Sequence, residues 1–393
     1  MKNMLAILGF CCILATPAWA GSWAKSGSAS NIEMDRVVHA VCRKEIVLLG
    51  EDSSHAGATT IAVKVRLVKR LVNECGFRGV VFESQFYDML NFEHDVADGS
   101  ATRQQLADAV GAVWSRYPSF APLMDWLFRE TDAGRVHVAG MDPQVGGVTA
   151  YYSQKQLPAD LSSVLVGTRR TECESIISRH DRWEYDDSHP FGAVALRHLR
   201  SCLRDIDHWL EAMEQRASPS LRAMANSYTN YLRFAGGGGR GRRDRAMYEN
   251  LKRIRARWPN GTRVIIWCAS VHAAKSLKAL TSDMRPLGSY VHKALGTRAA
   301  AIGFSALTGS YGHVGGHGMP RSLSAVASDS LEACAFASGA PGALHFLDQA
   351  QLKAMGKVPA RALAYGKSHT LDWSKLFDGI IVLRKEIAAV AKP

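Results

Sequence analysis

Beyond its opening residues, the sequence has no apolar run long enough to cross a bilayer as a helix, which takes about 20 residues. Beyond an uncleaved N-terminal anchor, no membrane-spanning helix is expected. No Cys-x-x-Cys pair and no Cys/His metal spacing occurs, so neither a structural zinc site nor a dithiol redox motif is indicated. There is no Gly-x-Ser-x-Gly elbow, which disfavours the usual serine nucleophile of α/β hydrolases. The glycine run Gly236–Gly239 follows no strand and precedes no Gly-Lys-Ser/Thr, which excludes a phosphate loop. There is no internal repeat.

What is present begins with an export signal. Lys2 gives a positive start, Met4–Ala15 is apolar, and Ala18-Trp19-Ala20 offers small residues at the two positions that guide cleavage. Residues 1–20 are expected to be removed, with Gly21 starting a mature chain that is periplasmic or secreted. The formal charge is +12. Part of the excess is local, in Arg240, Arg242, Arg243 and Arg245 beside the glycine run. No aromatic stacking pattern accompanies them, so the expectation is a solvated loop and no nucleic-acid partner.

Cys11 and Cys12 leave with the signal; Cys42, Cys75, Cys173, Cys202, Cys268 and Cys334 remain. Export permits disulfides. Cys42 and Cys75 each precede a candidate strand by a few residues. Adjacent parallel strands would bring them together, so that pair is predicted. A weaker case joins Cys173 to Cys202, and Cys268 is left open.

Short β-branched runs alternate with longer helical patterns. Candidate strands are Glu45–Leu49, Gly79–Phe82, Val136–Ala139, Arg263–Trp267, Ala299–Phe304 and Gly379–Leu383, with helical patterns such as Ile61–Cys75 and Phe120–Thr131 between them. This order predicts an α/β fold with a mostly parallel sheet flanked by helices. Residues 160–258 have few strand signals and many helix formers, and predict a helical insertion between the third and fourth strands. Residues 21–159 and 259–393 would form the α/β core.

In such a sheet, ligands bind at the carboxyl ends of the strands. Glu51, Ser54 and His55 follow the first strand, Glu83 the second, Asp142 the third, and Ser270 and His272 the fourth. Each has a plainer role available. Glu51 and His55 fit a first-turn capping pair, and Glu83 a salt bridge to a helix. Asp142 fits a turn or cap, and His272 a core histidine. Lys64 falls among Ile61, Val65, Val68, Leu71 and Cys75 on an apolar helix face, where a cation needs an anion or a function. A histidine with nearby carboxylates and a cation can run general-base hydrolysis, the cation stabilising the oxyanion.

These residues resemble the erythromycin esterase-like family. Its motif Leu-Gly-Glu-x-x-His-Gly is matched by Leu49-Gly50-Glu51-Asp52-Ser53-Ser54-His55-Ala56-Gly57, with one residue inserted. Gly76-Phe77 through Glu83, Gly140-Met141-Asp142, and Arg243-Asp244 through Asn250 follow in order. Trp267 through His272 and Gly303-Phe304 with Gly309-Ser310 complete the series. Ala269 stands where the family has a histidine, and Lys64 where it has an arginine. The resemblance implies metal-independent, cofactor-free hydrolysis of an ester or lactone by water activated at His55. Catalytic roles would fall to His55, Glu51, Glu83, His272 and Lys64, with Asp142 and Ser54 binding substrate. Two alternatives stand beside this reading. One is a metal-dependent hydrolase or protease with Glu51, His55, Glu83 and His272 as zinc or manganese ligands. The other is a non-catalytic binding protein on an esterase scaffold.

Overall fold

A computed structural model describes residues 29–391, other than 147–150, 189, 214–217, 236–239, 282–283, 317 and 338–341. The expected export signal and the Gly236–Gly239 run lie outside the described residues.

The strands are β1 (Ile46–Glu51), β2 (Gly79–Gln85), β3 (His137–Asp142), β4 (Val264–Ala269), β5 (Ala299–Tyr311), β6 (Arg321–Ser322), β7 (Leu344–Asp348), β8 (Lys357–Ala364), β9 (Lys367–Asp372) and β10 (Gly379–Glu386). The main sheet runs β3-β2-β4-β1-β5-β10-β7, with β6 paired to β5. It is parallel from β3 to β10, and β7 joins antiparallel. The fold is therefore α/β, with a mostly parallel mixed sheet flanked by helices. β8 and β9 form a separate antiparallel hairpin.

The six β1 residues are all buried, as suits a central strand covered on both faces. Alternate side chains feed two hydrophobic cores. Val47, Leu49, Phe82 and Trp267 point to one core, closed by Leu67, Val68 and Phe120. Ile46, Leu48, Val81 and Ile266 point to the other, closed by Leu161, Leu203, Tyr228 and Leu251. The last four belong to the helices between β3 and β4, so these helices pack directly on one sheet face.

Two close approaches set the strand ends that matter later. A Cβ on Gly50 would lie 2.7 Å from Ser270 Cα, and one on Gly140 would lie 2.5 Å from the Gln85 carbonyl oxygen. Only glycine lets β1 and β3 run on to Glu51 and Asp142 at those distances.

Cys42 and Cys75 are bridged, with Cα atoms 5.1 Å apart. Cys173 and Cys202 are bridged at 5.4 Å. Cys268 is buried and carries no disulfide. Among the described residues no helix is long and apolar enough to cross a membrane. One expectation is corrected. Arg240–Arg257 is an 18-residue helix rather than a solvated loop, and its residues Asp244, Met247, Asn250, Leu251 and Ile254 are buried. The density of arginines hid that 3–4 spacing of inward-facing side chains.

Candidate active site

Two clusters form at the carboxyl ends of β1, β4, β2 and β3, which are neighbours in the sheet. The first is centred on Glu51, the last residue of β1. His55 Nδ1 lies 2.8 Å from its Oε1, Trp114 Nε1 donates to the same oxygen at 2.6 Å, and Trp267 Nε1 at 3.3 Å. Lys64 Nζ donates to Oε2 at 2.9 Å and sits 4.1 Å from the centre of the Trp267 ring. Burial pushes the Glu51 carboxyl up, but Lys64 and then His55 outweigh it and hold it below its ordinary value. Burial draws the Lys64 ammonium down against the upward pull of Glu51. The pair stands as carboxylate and ammonium, since four donors converge on the anion and the cation has both an anion and an aromatic face.

The loop from Glu51 to His55 is tight. The His55 amide donates to the Asp52 carbonyl at 2.9 Å, and His55 has φ +56°, a left-handed conformation unusual for a side chain of that size. A strained residue held in place is a frequent mark of a working site. The His55 ring meets Trp114 edge-on at 5.1 Å. Ser54 Oγ donates to Asp52 Oδ2, and the other Asp52 oxygen accepts the Tyr365 amide.

The second cluster is built around Arg243, in the first turn of the Arg240–Arg257 helix. Its Nη2 donates to Asp142 Oδ2 at 2.6 Å and to Glu83 Oε1 at 3.0 Å, and its Nε to Asp142 Oδ1 at 3.2 Å. Glu83 Oε2 accepts the Ala269 amide at 2.8 Å. His272 bridges two carboxylates, with Nε2 3.1 Å from Glu83 Oε1 and Nδ1 2.8 Å from Asp244 Oδ1. Burial alone would lower the His272 pKa, but Glu83 and Asp244 outweigh it and push it up to about 10. His272 is therefore an imidazolium, and the 3.2 Å approach of Arg243 Nη1 to its Nε2 is a contact of two cations joined through Glu83. Burial raises the Glu83 carboxyl, but His272, Arg243 and His55 hold it well below its ordinary value.

Ala269 joins the clusters. It pairs with Glu51 across β1 and β4, and its amide holds Glu83. The structure thus brings Glu51, His55, Lys64, Glu83, Asp142 and His272 to one rim. Ser54 lies on the same loop but is turned to Asp52. Among the described residues, no three His, Cys, Asp or Glu side chains are arranged to hold a metal ion.

The family model described as erythromycin esterase matches residues 72–386. The chain belongs to the erythromycin esterase family. No curated protein matches it. Among solved structures, a Bacillus cereus protein is similar at 19% identity, with 94% of each chain covered and a TM-score of 0.72. A protein titled as one of succinoglycan biosynthesis is similar at 14% identity, covering 91% of this chain and 92% of the other, TM-score 0.66. A histidine-to-asparagine mutant of the erythromycin esterase EreC, in its open conformation, is similar at 14% identity, covering 90% and 93%, TM-score 0.65. At these identities the likeness is one of fold.

The erythromycin esterase family match begins after Glu51, His55 and Lys64, so the grouping of those three rests on the geometry above. Sequence reasoning left Trp114, Arg243 and Asp244 out of the site. Arg243-Asp244 stood in a family motif, and that was the available signal. Trp114 had none, because it arrives from a loop far from any strand end.

Proposed function

We propose that this member of the erythromycin esterase family is an exported hydrolase that cleaves an ester or lactone by water activated at His55. The observation that carries the reading is the His55 ring. Nδ1 is taken by Glu51, and Nε2 has no hydrogen-bond partner among the described residues. A ring that donates Nδ1–H to a carboxylate offers its Nε2 lone pair to a proton. Water attacks the carbonyl carbon as Nε2 takes the proton, and a tetrahedral oxyanion forms. On collapse the C–O bond to the leaving group breaks, and Nε2–H returns the proton to the departing alkoxide. Glu51 stabilises the imidazolium between those events.

Arg243 is the better candidate than Lys64 to meet the oxyanion. Its side chain is 22% exposed, whereas that of Lys64 is 0% exposed and committed to Glu51. Lys64 then acts through Glu51 as a positioning residue. His272 is a fixed cation between Glu83 and Asp244 rather than a base. Asp142 has both oxygens on Arg243, so its contribution to binding substrate runs through that guanidinium. The two disulfides fit an oxidising compartment such as the periplasm or exterior. The test is hydrolysis of a panel of esters and lactones by wild type and by a folded His55→Ala variant. Equal turnover by the two would overturn the assignment, and no turnover by wild type would favour a binding protein.

A further inference from the structure

A cavity of about 900 Å³ lies not at the sheet rim but on the helical insertion, between the Ala193–Ala212, Pro219–Ala235 and Arg240–Arg257 helices. Its size suits a small-molecule ligand. Arg222, Arg233, Arg242, Arg245 and Arg253 line it. On the Arg240–Arg257 helix, Arg242, Arg245, Glu249 and Arg253 face this cavity, whereas Asp244, Met247 and Asn250 are buried. The cavity is therefore separate from the Arg243 cluster.

The guanidinium contacts are what single it out. Arg242 Nη1 donates to the Arg233 carbonyl, Arg233 Nη1 to Asn230 Oδ1, and Arg253 Nη1 to Asn250 Oδ1. None of these three makes an ion pair within 4.0 Å among the described residues, and each retains unused N–H donors. Three acids line it as well: Thr229 donates to Asp207, Lys252 pairs with Glu249, and Glu211 stands beside them, so five arginines face three carboxylates and the lining keeps a net positive charge. Burial lowers the Arg253 guanidinium, which an arriving anion would relieve.

Along the Pro219–Ala235 helix the lining runs Arg222, Asn226, Thr229, Asn230, Arg233. Its ends are roughly 16 Å apart at the helical rise per residue. Cations thus flank a stretch of amides and a hydroxyl. Guanidinium forks recognise carboxylate and sulfate groups, and amides recognise hydroxyls. We propose that this groove binds an acidic oligosaccharide, its anionic groups on the arginines and its hydroxyls on Asn226, Thr229 and Asn230. The site is independent of the hydrolase reading.

The experiment is titration calorimetry of the full chain with a galacturonate tetrasaccharide. A neutral galactose tetrasaccharide and tripolyphosphate serve as comparisons. The expected result is binding of the acidic sugar alone, weakening as salt rises. Arg242→Ala with Arg245→Ala should reduce it about tenfold or more, while circular dichroism and any hydrolytic turnover stay unchanged. Asn230→Ala should weaken the sugar without affecting the melting temperature. Unchanged affinity in the arginine variant, binding of the neutral sugar as well, or binding of tripolyphosphate but not the sugar would each overturn the proposal.

Discussion

Glu51 Oε2 accepts from Lys64 Nζ at 2.9 Å, and both side chains are wholly buried at the end of the central strand. A buried ion pair of this kind costs most when one partner is lost, because the other is left as an uncompensated charge. Lys64→Ala is therefore expected to lower stability by about 3–5 kcal/mol. Lys64→Ala with Glu51→Gln should fold better than Lys64→Ala alone, since the stranded anion is gone. Urea denaturation of the single and double variants checks this. A double variant no more stable than Lys64→Ala would show that the lost packing against Trp267, not the charge, sets the cost.

His272 makes stability depend on pH in the alkaline range. Its folded pKa of about 10 lies above the ordinary value of 6.5, so the folded protein holds the proton more tightly. The contribution is complete below about pH 6.5 and is lost as pH rises towards 10. It amounts to a few kcal/mol, in order of magnitude. The melting temperature should fall across that interval, and His272→Gln should flatten the fall. A variant that keeps the wild-type slope would assign it to other groups.

The Cys42–Cys75 bridge closes a 33-residue separation from the turn just before β1 to the end of the helix before β2. Linking residues that far apart restricts the unfolded chain, typically by about 2–4 kcal/mol. Cys42→Ala with Cys75→Ala should lower the melting temperature by several degrees, as should reduction of the wild type. Alkylation located by peptide mapping on Cys42 or Cys75, without prior reduction, would show that these two are not paired; a label on Cys268 would not, since it carries no disulfide.

How much of this was legible in sequence follows from what sequence pattern encodes. Apolar β-branched runs marked the six strands in or next to the parallel part of the sheet, because such strands are buried on both faces. β8 and β9 gave no such run. Lys357–Ala364 contains Pro359 and three alanines, all weak strand formers, and Lys367–Asp372 is mostly polar. Lys64 was legible as a cation on an apolar face, and its partner Glu51 as a strand-end acid. Arg243 was obscured by the neighbouring arginines, since charge density reads as solvation and only the three-dimensional fold separates the inward guanidinium from the outward ones. Trp114 reaches Glu51 from 63 residues away, a separation no local pattern encodes.

Arg243 and Lys64 both lie beside carboxylates of the rim, and kinetics can separate their roles. An interaction made only in the transition state lowers kcat and kcat/KM together, while one that also holds the ground state raises KM. If Arg243 meets the oxyanion, Arg243→Ala lowers kcat with little change in KM. Removing one oxyanion donor costs about 10²–10³-fold. Arg243→Lys should rescue little, because a point charge cannot hold Asp142 and Glu83 in a two-pronged grip while facing substrate. Lys64→Met should act through Glu51 instead. Lys64→Arg, which keeps a cation beside Glu51, should then recover most of the turnover that Lys64→Met loses, whereas Arg243→Lys should not recover that of Arg243→Ala. Turnover of the four variants on one ester, with folding checked by circular dichroism, gives the comparison. Recovery by Arg243→Lys and none by Lys64→Arg would reverse the two roles.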